Sequence, residues 1–370
     1  MSSMTLPNKY DWKKLQQFCT DVFVNAGVTK ENADIVADSL IQADLRGVDS
    51  HGVVRTAIYV ERIEKNMIDP FAEPAIEKED SATILLNGNN NLGAVVGTRA
   101  LELAMEKAKE RGAAIVGVKG SNHFGTGAFY LLKAIEQDMI LLVMSNASQT
   151  MPPTGGKRPF IGTNPLAVGV PAGKEAPFVL DMATSVVARG KIIVAAQKGM
   201  DIPVGWAVDK EGHPTTNADE ALEGAVLPVG GPKGYAISMF IDILAGVLTG
   251  AGFGKYVNNM YENWDEPQNV GHIFIAIDIN RFIPIDVFKE RMDGYIREIK
   301  AEPKADGVEE ILIPGEIEFR RVIERMEKGI ELPEKVAKEL DQIGKRYAVD
   351  ISKAAFNKND THEQEEAIQK

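Results

Sequence analysis

The stretch TILLNGNNNLGAVVGTRALELAMEKAKERGAAIVGV, residues 83–118, sets the expectation for the fold. Thr83–Leu86 has the short aliphatic pattern of a strand, and the asparagines and glycines from Asn87 to Gly93 indicate a turn. Apolar residues then recur at helical spacing over Gly97–Arg111, before the apolar strand Ala113–Val118. This alternation of strand and helix predicts an α/β fold.

The alternation continues downstream, whereas both ends of the chain are helical in pattern. We expect an α/β domain over 81–283, a helical domain built from 1–80 and 284–350, and a frayed, charged tail over 351–370. Further strands are predicted at Ile140–Ser145, Leu166–Val170, Phe178–Asp181 and His272–Asp278, and further helices after Gly127, over 185–198, after Lys233, and near 285–300, 317–329 and 333–348.

Composition narrows the class of protein. The 370 residues are 44% hydrophobic and 25% charged, as in ordinary globular proteins. A net charge of −12 without a dense Lys/Arg stripe argues against nucleic-acid binding, which depends on neutralising phosphates. The start lacks the apolar core of a signal peptide, and no apolar run is long enough to span a bilayer. With Cys19 as the single cysteine, we expect a cytoplasmic protein without disulfides.

The segment Arg46–Arg55, RGVDSHGVVR, carries the clearest chemistry. If Ser50 is the N-cap of a helix from His51 to about Asn66, then His51 and Arg55 lie four residues apart on one face, which Tyr59 extends. A guanidinium can bind a carboxylate through two parallel hydrogen bonds. An imidazole beside it can exchange a proton with a neighbouring alkoxide. The pattern suits reduction of a 2-oxo acid, although a capping histidine beside a solvated arginine is the simpler alternative.

Other segments have the composition of ligand-binding turns. Gly120–Gly127, which contains His123, follows a strand and precedes a helix, where backbone N–H groups can hold an anion. Asp181–Ser185 ends a strand, Gly230–Gly234 places Lys233 at a helix start, and Pro314–Glu316 is an exposed turn. Each could equally be ordinary turn chemistry. A GxGxxG fingerprint is missing, and the five histidines show no metal-ligand spacing, so we expect no metal site.

Taken together, these segments resemble the malate/L-lactate dehydrogenase family of type 2. Its members include malate, ureidoglycolate and sulfolactate dehydrogenases and diketogulonate and piperideine-carboxylate reductases. The resemblance runs from about residue 10 to 350 in family order. It implies a non-Rossmann domain with a mostly antiparallel sheet that binds NAD or NADP, and a homodimer. The matching motifs are RGVDSHGxxR at Arg46–Arg55, GSNHFG at Gly120–Gly125, GTNP at Gly162–Pro165, DMATS at Asp181–Ser185, PKG at Pro232–Gly234 and IPGE at Ile313–Glu316.

The resemblance also implies roles for individual residues. His51 would be the proton donor, assisted by Ser50, with Arg55 on the substrate carboxylate and Thr163 at a substrate-side position. His123 is a competing acid/base, because the histidine of the NHFG motif looks like the acid/base of the ureidoglycolate branch. If His51 is the proton donor, His123 would lie near the nicotinamide or the substrate. Lys191 stands where the piperideine-carboxylate branch has an acidic relay residue, which disfavours imine reduction. The positions that match cofactor contacts are His123, Ser148, Asp181, Met182, Ala183, Lys233, Gly315 and Glu316.

The expected function is therefore hydride transfer between a nicotinamide and a small 2-hydroxy/2-oxo acid, with malate/oxaloacetate or lactate/pyruvate as first candidates. Ureidoglycolate or sulfolactate oxidation is the alternative within catalysis. A non-catalytic metabolite sensor on the same scaffold is a second alternative, and a metal-dependent lyase a weaker third. The sequence does not choose between NAD and NADP.

Overall fold

A computed structural model of the chain describes residues 6–357. The backbone divides into two compact units, one made of Met1–Phe71 with Asp293–Lys370 and the other of Ala72–Met292. Within the described part, helices of membrane-spanning length and apolarity are absent. The α/β class predicted from residues 83–118 is confirmed, with a mixed sheet. The helices are α1 Trp12–Asn25, α2 Lys30–Leu45, α3 Thr56–Glu64, α4 Gly93–Arg111, α5 Gly127–Ile135, α6 Arg189–Gln197, α7 Ala218–Glu223, α8 Pro232–Asp242, α9 Ile285–Ala301, α10 Glu316–Lys328 and α11 Glu334–Arg346.

The strands are β1 Lys9–Tyr10, β2 Ala75–Asp80, β3 Thr83–Asn87, β4 Ala113–Ser121, β5 Met139–Ser145, β6 Leu166–Val170, β7 Phe178–Met182, β8 Ala207–Val208, β9 Pro214–Thr215, β10 Ala225–Val226, β11 Val270–Asp278 and β12 Ile330–Glu331. The second unit is built on a seven-stranded sheet in the order β2-β3-β4-β11-β5-β6-β7. β3 and β4 pair in parallel, and the other neighbours pair antiparallel. β4, β11 and β5 form its centre, and α4 and α5 pack on the sheet.

The first unit joins the two ends of the chain. β1 pairs antiparallel with β12, and the Asp11 N–H donates to the Ala354 carbonyl at 2.9 Å. Leu15, Phe18 and Phe23 of α1 are buried in the core of this unit. Residues 351–357, which the sequence places in the frayed tail, contain a 3-10 turn with Ile351 and Ala354 buried. The remainder of that tail, 358–370, lies outside the described residues.

Several boundaries differ from the sequence prediction. The predicted domain limits are 80/81 and 283/284, but β2 pairs with β3, so the sheet unit begins earlier. The start of α9 also belongs to the sheet unit, where Lys289 pairs with Asp138 at 2.5 Å. The polar stretch 199–225, for which no helix or strand is predicted, contains α7 and a small sheet of β8, β9 and β10 around a separate apolar cluster. These strands of two residues are too short to leave a periodic pattern.

A buried histidine connects the three central strands. His272 of β11 is fully buried, with Nδ1 2.9 Å from Ser145 Oγ on β5 and Nε2 2.8 Å from Ser121 Oγ on β4. The Ser145 hydroxyl also lies 3.0 Å from the Asn146 carbonyl, and the Ser121 hydroxyl 3.4 Å from the Asn122 carbonyl. Burial between these groups keeps the imidazole neutral and lowers its pKa to about 3.

This histidine makes stability sensitive to acid. The unfolded chain binds the proton near the ordinary pKa of 6.5, whereas the folded chain binds it only near 3. The unfolded state therefore holds more protons in that window, and the free energy of unfolding falls on acidification by about 1.4 kcal/mol per pH unit for this group. We expect His272→Gln to have a shallower pH dependence than wild type in urea unfolding between pH 6.5 and 4. Equal slopes would contradict the buried neutral imidazole.

Candidate active site

The candidate site begins where α2 ends. Gly47, at φ +78°, donates to the Asp44 carbonyl at 2.9 Å, and Val48 donates to the Ala43 carbonyl at 2.8 Å. This pair of bonds is a Schellman motif, which needs a residue in the left-handed region and so favours glycine. The second residue of the RGVDSHGVVR segment therefore has a structural role. It turns the chain sharply before His51.

The Asp44 carboxyl group shapes the next turn. Asp44 is 1% exposed, and its Oδ2 accepts from the Val53 N–H at 2.8 Å. A Cβ on Gly52 would lie 1.8 Å from Asp44 Oδ1, so this residue must lack a side chain. Burial is the main cause that raises the pKa of Asp44 to about 8. The protonated carboxyl group can still accept the Val53 bond through its carbonyl oxygen.

The predicted helix from His51 to Asn66 with a Ser50 cap is wrong. Two 3-10 turns, Asp49–His51 and Val53–Arg55, come first, and α3 begins only at Thr56. Gly52 between them is extended, at φ −84° and ψ −151°, because Asp44 binds the Val53 N–H from the core side. His51 and Arg55 are therefore not one helical turn apart on a common face.

Local contacts still bring Ser50, His51 and Arg55 together. Ser50 Oγ lies 2.9 Å from His51 Nδ1, and Arg55 Nε donates to the Ser50 carbonyl at 2.7 Å. One residue thus holds both the imidazole and the guanidinium. His51 and Arg55 are half-buried, whereas Tyr59, one helical turn beyond Arg55, is buried.

The surroundings of this turn disfavour charge on its imidazole. Desolvation lowers the pKa of His51 to about 4, and the positive charge of Arg55 adds to the effect. Burial likewise raises the pKa of the Tyr59 phenol to about 12, so the phenol remains protonated. At neutral pH the histidine of this turn is a neutral base beside a cation.

The second predicted histidine, His123, lies in the sheet unit on a firmly held loop. Asn122 Nδ2 donates to the Asn91 carbonyl at 2.9 Å, and the His123 N–H donates to Gln268 Oε1 at 3.1 Å. Phe124 stacks on the His272 ring with centroids 4.4 Å apart and planes at 4°. The buried histidine of the sheet thus supports the loop that carries His123. The His123 side chain itself is half-buried.

Asp181 occupies the helix start that the sequence offers as an anion cradle. Its Oδ2 accepts from the Ala128 N–H at 2.9 Å in the first turn of α5. A Cβ on Gly127 would lie 2.4 Å from Ala167 Cβ and 3.2 Å from Asp181 Oδ1, and the first of these contacts requires glycine there. A carboxylate of the chain itself therefore satisfies this N-terminus. Its placement favours a structural role for Asp181 over binding of a pyrophosphate at α5.

A better-shaped anion site lies at the start of α8. Gly230 and Gly231 have φ of 61° and 64°, and a Cβ on either would meet nothing within 4 Å. The exposed Lys233 follows in the first turn of this 11-residue helix. The open backbone, the helix N-terminus and a cation together suit a phosphate group.

The remaining predicted positions are divided between the two units. In the sheet unit, Ser148, Thr163, Met182 and Ala183 are all half-buried, and the Thr163 carbonyl accepts from Thr184 at 3.0 Å, next to Ala183. In the helical unit, Gly315 is buried at φ +99°. The Glu316 carboxylate binds Lys300 and accepts from the Ile313 N–H at 3.1 Å. It therefore stabilises the turn before α10.

Three residues that support the predicted groups were not predicted from the sequence: Asp44, His272 and Arg325. An acidic residue on the buried face of α2 is a signal that could have singled out Asp44, because carboxylates are rarely buried without a bonding partner. His272 stood in a predicted buried strand, which is a comparable signal. Arg325 bonds to Asp44 and Asp49, and the sequence around it has no pattern that would predict these contacts.

Over residues 6–357, clusters of three or more His, Cys, Asp or Glu suited to a metal are absent.

The contact between Gly52 and Asp44 gives a direct test of the turn. Gly52→Ala keeps an allowed φ, so its cost is steric, and we expect about 1–3 kcal/mol of destabilisation together with loss of activity. Gly294→Ala in α9 is the matched control, because its Cβ would meet nothing within 4 Å and alanine favours helix. Urea unfolding measures both. If Gly52→Ala were as stable as Gly294→Ala, the described turn would be incorrect.

The chain is similar to known proteins over most of its length. The family model described as malate/L-lactate dehydrogenase matches residues 10–341. A malate dehydrogenase of Pyrococcus horikoshii is 43% identical over 345 residues, covering 91% of this chain and 95% of the relative. A ureidoglycolate dehydrogenase (NAD(+)) of Escherichia coli O157:H7 is 34% identical over 324 residues, covering 88% of this chain and 92% of the relative.

Solved structures are similar as well. The sulfolactate dehydrogenase from Methanocaldococcus jannaschii superposes with a TM-score of 0.88 at 39% identity, covering 94% of this chain and 99% of that chain. The similarity therefore extends over nearly the whole of both chains. The chain belongs to the malate/L-lactate dehydrogenase family.

Proposed function

We propose that the protein is an NAD(P)-dependent dehydrogenase of a small 2-hydroxy acid, with malate/oxaloacetate or lactate/pyruvate as first candidate pairs. The observation that carries the proposal is the turn in which Ser50 holds both His51 and Arg55. Malate and sulfolactate, named for two of the relatives, are 2-hydroxy acids whose carboxylate adjoins the reacting carbon. An acid/base group beside a guanidinium matches that chemistry.

In this proposal Arg55 binds the substrate carboxylate and His51 exchanges the hydroxyl proton. The Nε bond to the Ser50 carbonyl fixes the plane of the guanidinium, so its orientation is set before substrate binds. Since Nδ1 of His51 is engaged by Ser50, the proton passes through Nε2. Ser50 thus orients the imidazole, as the third member of a catalytic group does.

The low pKa of His51 affects its role differently in the oxidative and the reductive direction of the reaction. As a neutral base near pH 7, the imidazole can take the hydroxyl proton during alcohol oxidation. In the reductive direction it must first be protonated. A bound carboxylate on Arg55 would offset the cation that helps to lower the pKa, and so raise the pKa towards the working range. Binding of the oxo acid would therefore favour the protonated form of His51, which is the proton donor for reduction.

The residues present also fit a nicotinamide dinucleotide, which when bound supplies or accepts the hydride. Gly230, Gly231 and Lys233 at the start of α8 would hold a phosphate of the cofactor. This supports a non-Rossmann mode of binding on the mixed sheet. Of the sheet-unit positions, His123, Ser148, Met182 and Ala183 would contact the cofactor, and Thr163 the substrate side. For Asp181 and Glu316 we propose an indirect role, through the helix starts that they stabilise.

We also propose a homodimer, acting in the cytoplasm. Consecutive turns from α8 onward expose large apolar side chains, a composition typical of an interface. The exposed fractions are 46% for Met239, 56% for Phe240, 42% for Ile243, 56% for Val247 and 66% for Leu248. Light scattering at micromolar concentration should give twice 40.3 kDa for wild type and a lower mass for Phe240→Glu. A monomer at every concentration would contradict the dimer.

The function is tested by a panel of 2-oxo acids with NADH and NADPH, followed by absorbance. We expect turnover with oxaloacetate or pyruvate. His51→Gln should lower kcat about 10²- to 10⁴-fold with cofactor binding retained. Arg55→Gln should mainly raise KM for the oxo acid, because it removes carboxylate binding. His213→Gln, an exposed histidine, is the matched control.

Three outcomes would overturn parts of this proposal. Silence across the panel with both cofactors would exclude the dehydrogenase, and cofactor binding without turnover would favour a metabolite sensor. If His123→Gln abolished turnover and His51→Gln did not, the acid/base would be His123. Activity on ureidoglycolate or sulfolactate alone would keep the reaction and change the substrate.

A further inference from the structure

We propose that Arg325 of α10 is a positioning residue that holds the Asp49–Arg55 turn in its active arrangement. This inference rests on the proposed function, because it concerns the two groups to which that function assigns the proton and the carboxylate. Arg325 is remote in sequence from this turn. Its contacts nevertheless reach both sides of the bend that leads into it.

The Arg325 guanidinium bonds to two separate parts of the turn. Its Nη1 donates to the Asp44 carbonyl and to Asp49 Oδ1, and its Nη2 lies 3.3 Å from Asp49 Oδ2. The Asp44 carbonyl also accepts from Gly47 in the Schellman motif. The cation therefore caps the C-terminus of α2, where positive charge is favourable, and at the same time fixes Asp49.

The connection from Asp49 to the reactive groups is short. The Asp49 carbonyl accepts from the Gly52 N–H at 3.3 Å, and Ser50 follows Asp49 directly. Ser50 in turn bonds to Arg55 through its carbonyl and to His51 through its hydroxyl. A displacement of Asp49 would therefore move both the imidazole and the guanidinium.

The rest of α10 makes Arg325 a well-placed support. The Arg46 guanidinium lies over the Phe319 ring at 5.0 Å, and a Cβ on Gly47 would lie 2.6 Å from Arg321. Together with Arg325, these contacts place α10 against the start of the RGVDSHGVVR segment, and Arg321 and Arg325, four residues apart, share one face of the helix. Arg46, Gly47 and Asp49 thus serve to dock this segment on α10.

Stability alone does not account for an arginine here. The Asp49 side chain is 55% exposed and the Arg325 side chain 21%, so the ion pair is open to solvent on its carboxylate side and contributes only about 1 kcal/mol or less. A planar fork that serves a carbonyl and both oxygens of a carboxylate is, however, a precise geometric constraint. Since small misplacements of reacting groups can cost about 10²-fold in rate, the expected effect is on catalysis more than on unfolding.

The test compares Arg325→Met and Arg325→Lys with Arg320→Met in the full-length enzyme. Arg320 is a matched control, because it lies on the same helix as Arg325 and makes a two-point pair with Glu310. With the 2-oxo acid on which wild type is most active, we expect Arg325→Met to lower kcat/KM about 10- to 100-fold. The loss should combine a lower kcat with a higher KM for the oxo acid and an unchanged KM for the cofactor. Arg325→Lys should be intermediate.

A merely structural role would give a different result. Loss of folded enzyme lowers kcat without changing KM for either substrate, and that outcome would overturn the proposal. So would kinetics of Arg325→Met that match those of Arg320→Met.

A second readout needs no turnover. In protein labelled with ¹³C-histidine, the His51 imidazole resonance, assigned with His51→Gln, should shift in Arg325→Met and stay in place in Arg320→Met. An unmoved resonance would overturn the positioning role. If the wild type were inactive but the His51 resonance still shifted in Arg325→Met, the proposed function would be wrong and the positioning role of Arg325 would stand.

Discussion

The site depends on the hydrogen bond from the Val53 N–H to the buried carboxyl group of Asp44. This bond keeps the chain from continuing a helix after His51, and it requires glycine at position 52. The extended residue separates two tight turns, and Ser50 in the first of them can then reach both the imidazole and Arg55. A buried acidic group thus sets the geometry of residues that face substrate in our proposal, in the way that supporting shells preorganise active sites.

The sheet unit uses a comparable device. His272 is buried between two serine hydroxyls and stacks on Phe124, next to His123. In both units a buried, hydrogen-bonded polar group lies beneath a loop with a candidate functional histidine. Buried polar networks are costly when incomplete, so they specify one arrangement strongly when complete. The low pKa of His272 and the raised pKa of Asp44 both follow from this burial.

The larger helices and strands could be predicted from the sequence. For the candidate site, the sequence indicated which residues take part but not the backbone conformation that brings them together. The strands at Leu166–Val170 and Phe178–Asp181 and the helices of both chain ends follow from hydrophobic periodicity, which reports burial directly. The Ser50 cap failed because a tertiary bond from Asp44 outweighs local capping preference. The anion site predicted before α5 likewise receives Asp181, a residue distant in sequence. Contacts of this kind are set by the fold and leave no local pattern.

The roles of Arg55 and His51 are tested most directly by a crystal structure with the oxidised cofactor and oxalate, an unreactive analogue of a 2-oxo acid. We expect one carboxylate of oxalate on the Arg55 guanidinium and an oxygen of the other within hydrogen-bond distance of His51 Nε2, with the Asp44–Val53 bond unchanged. Oxalate held away from Arg55, or with its second oxygen on His123, would contradict these roles.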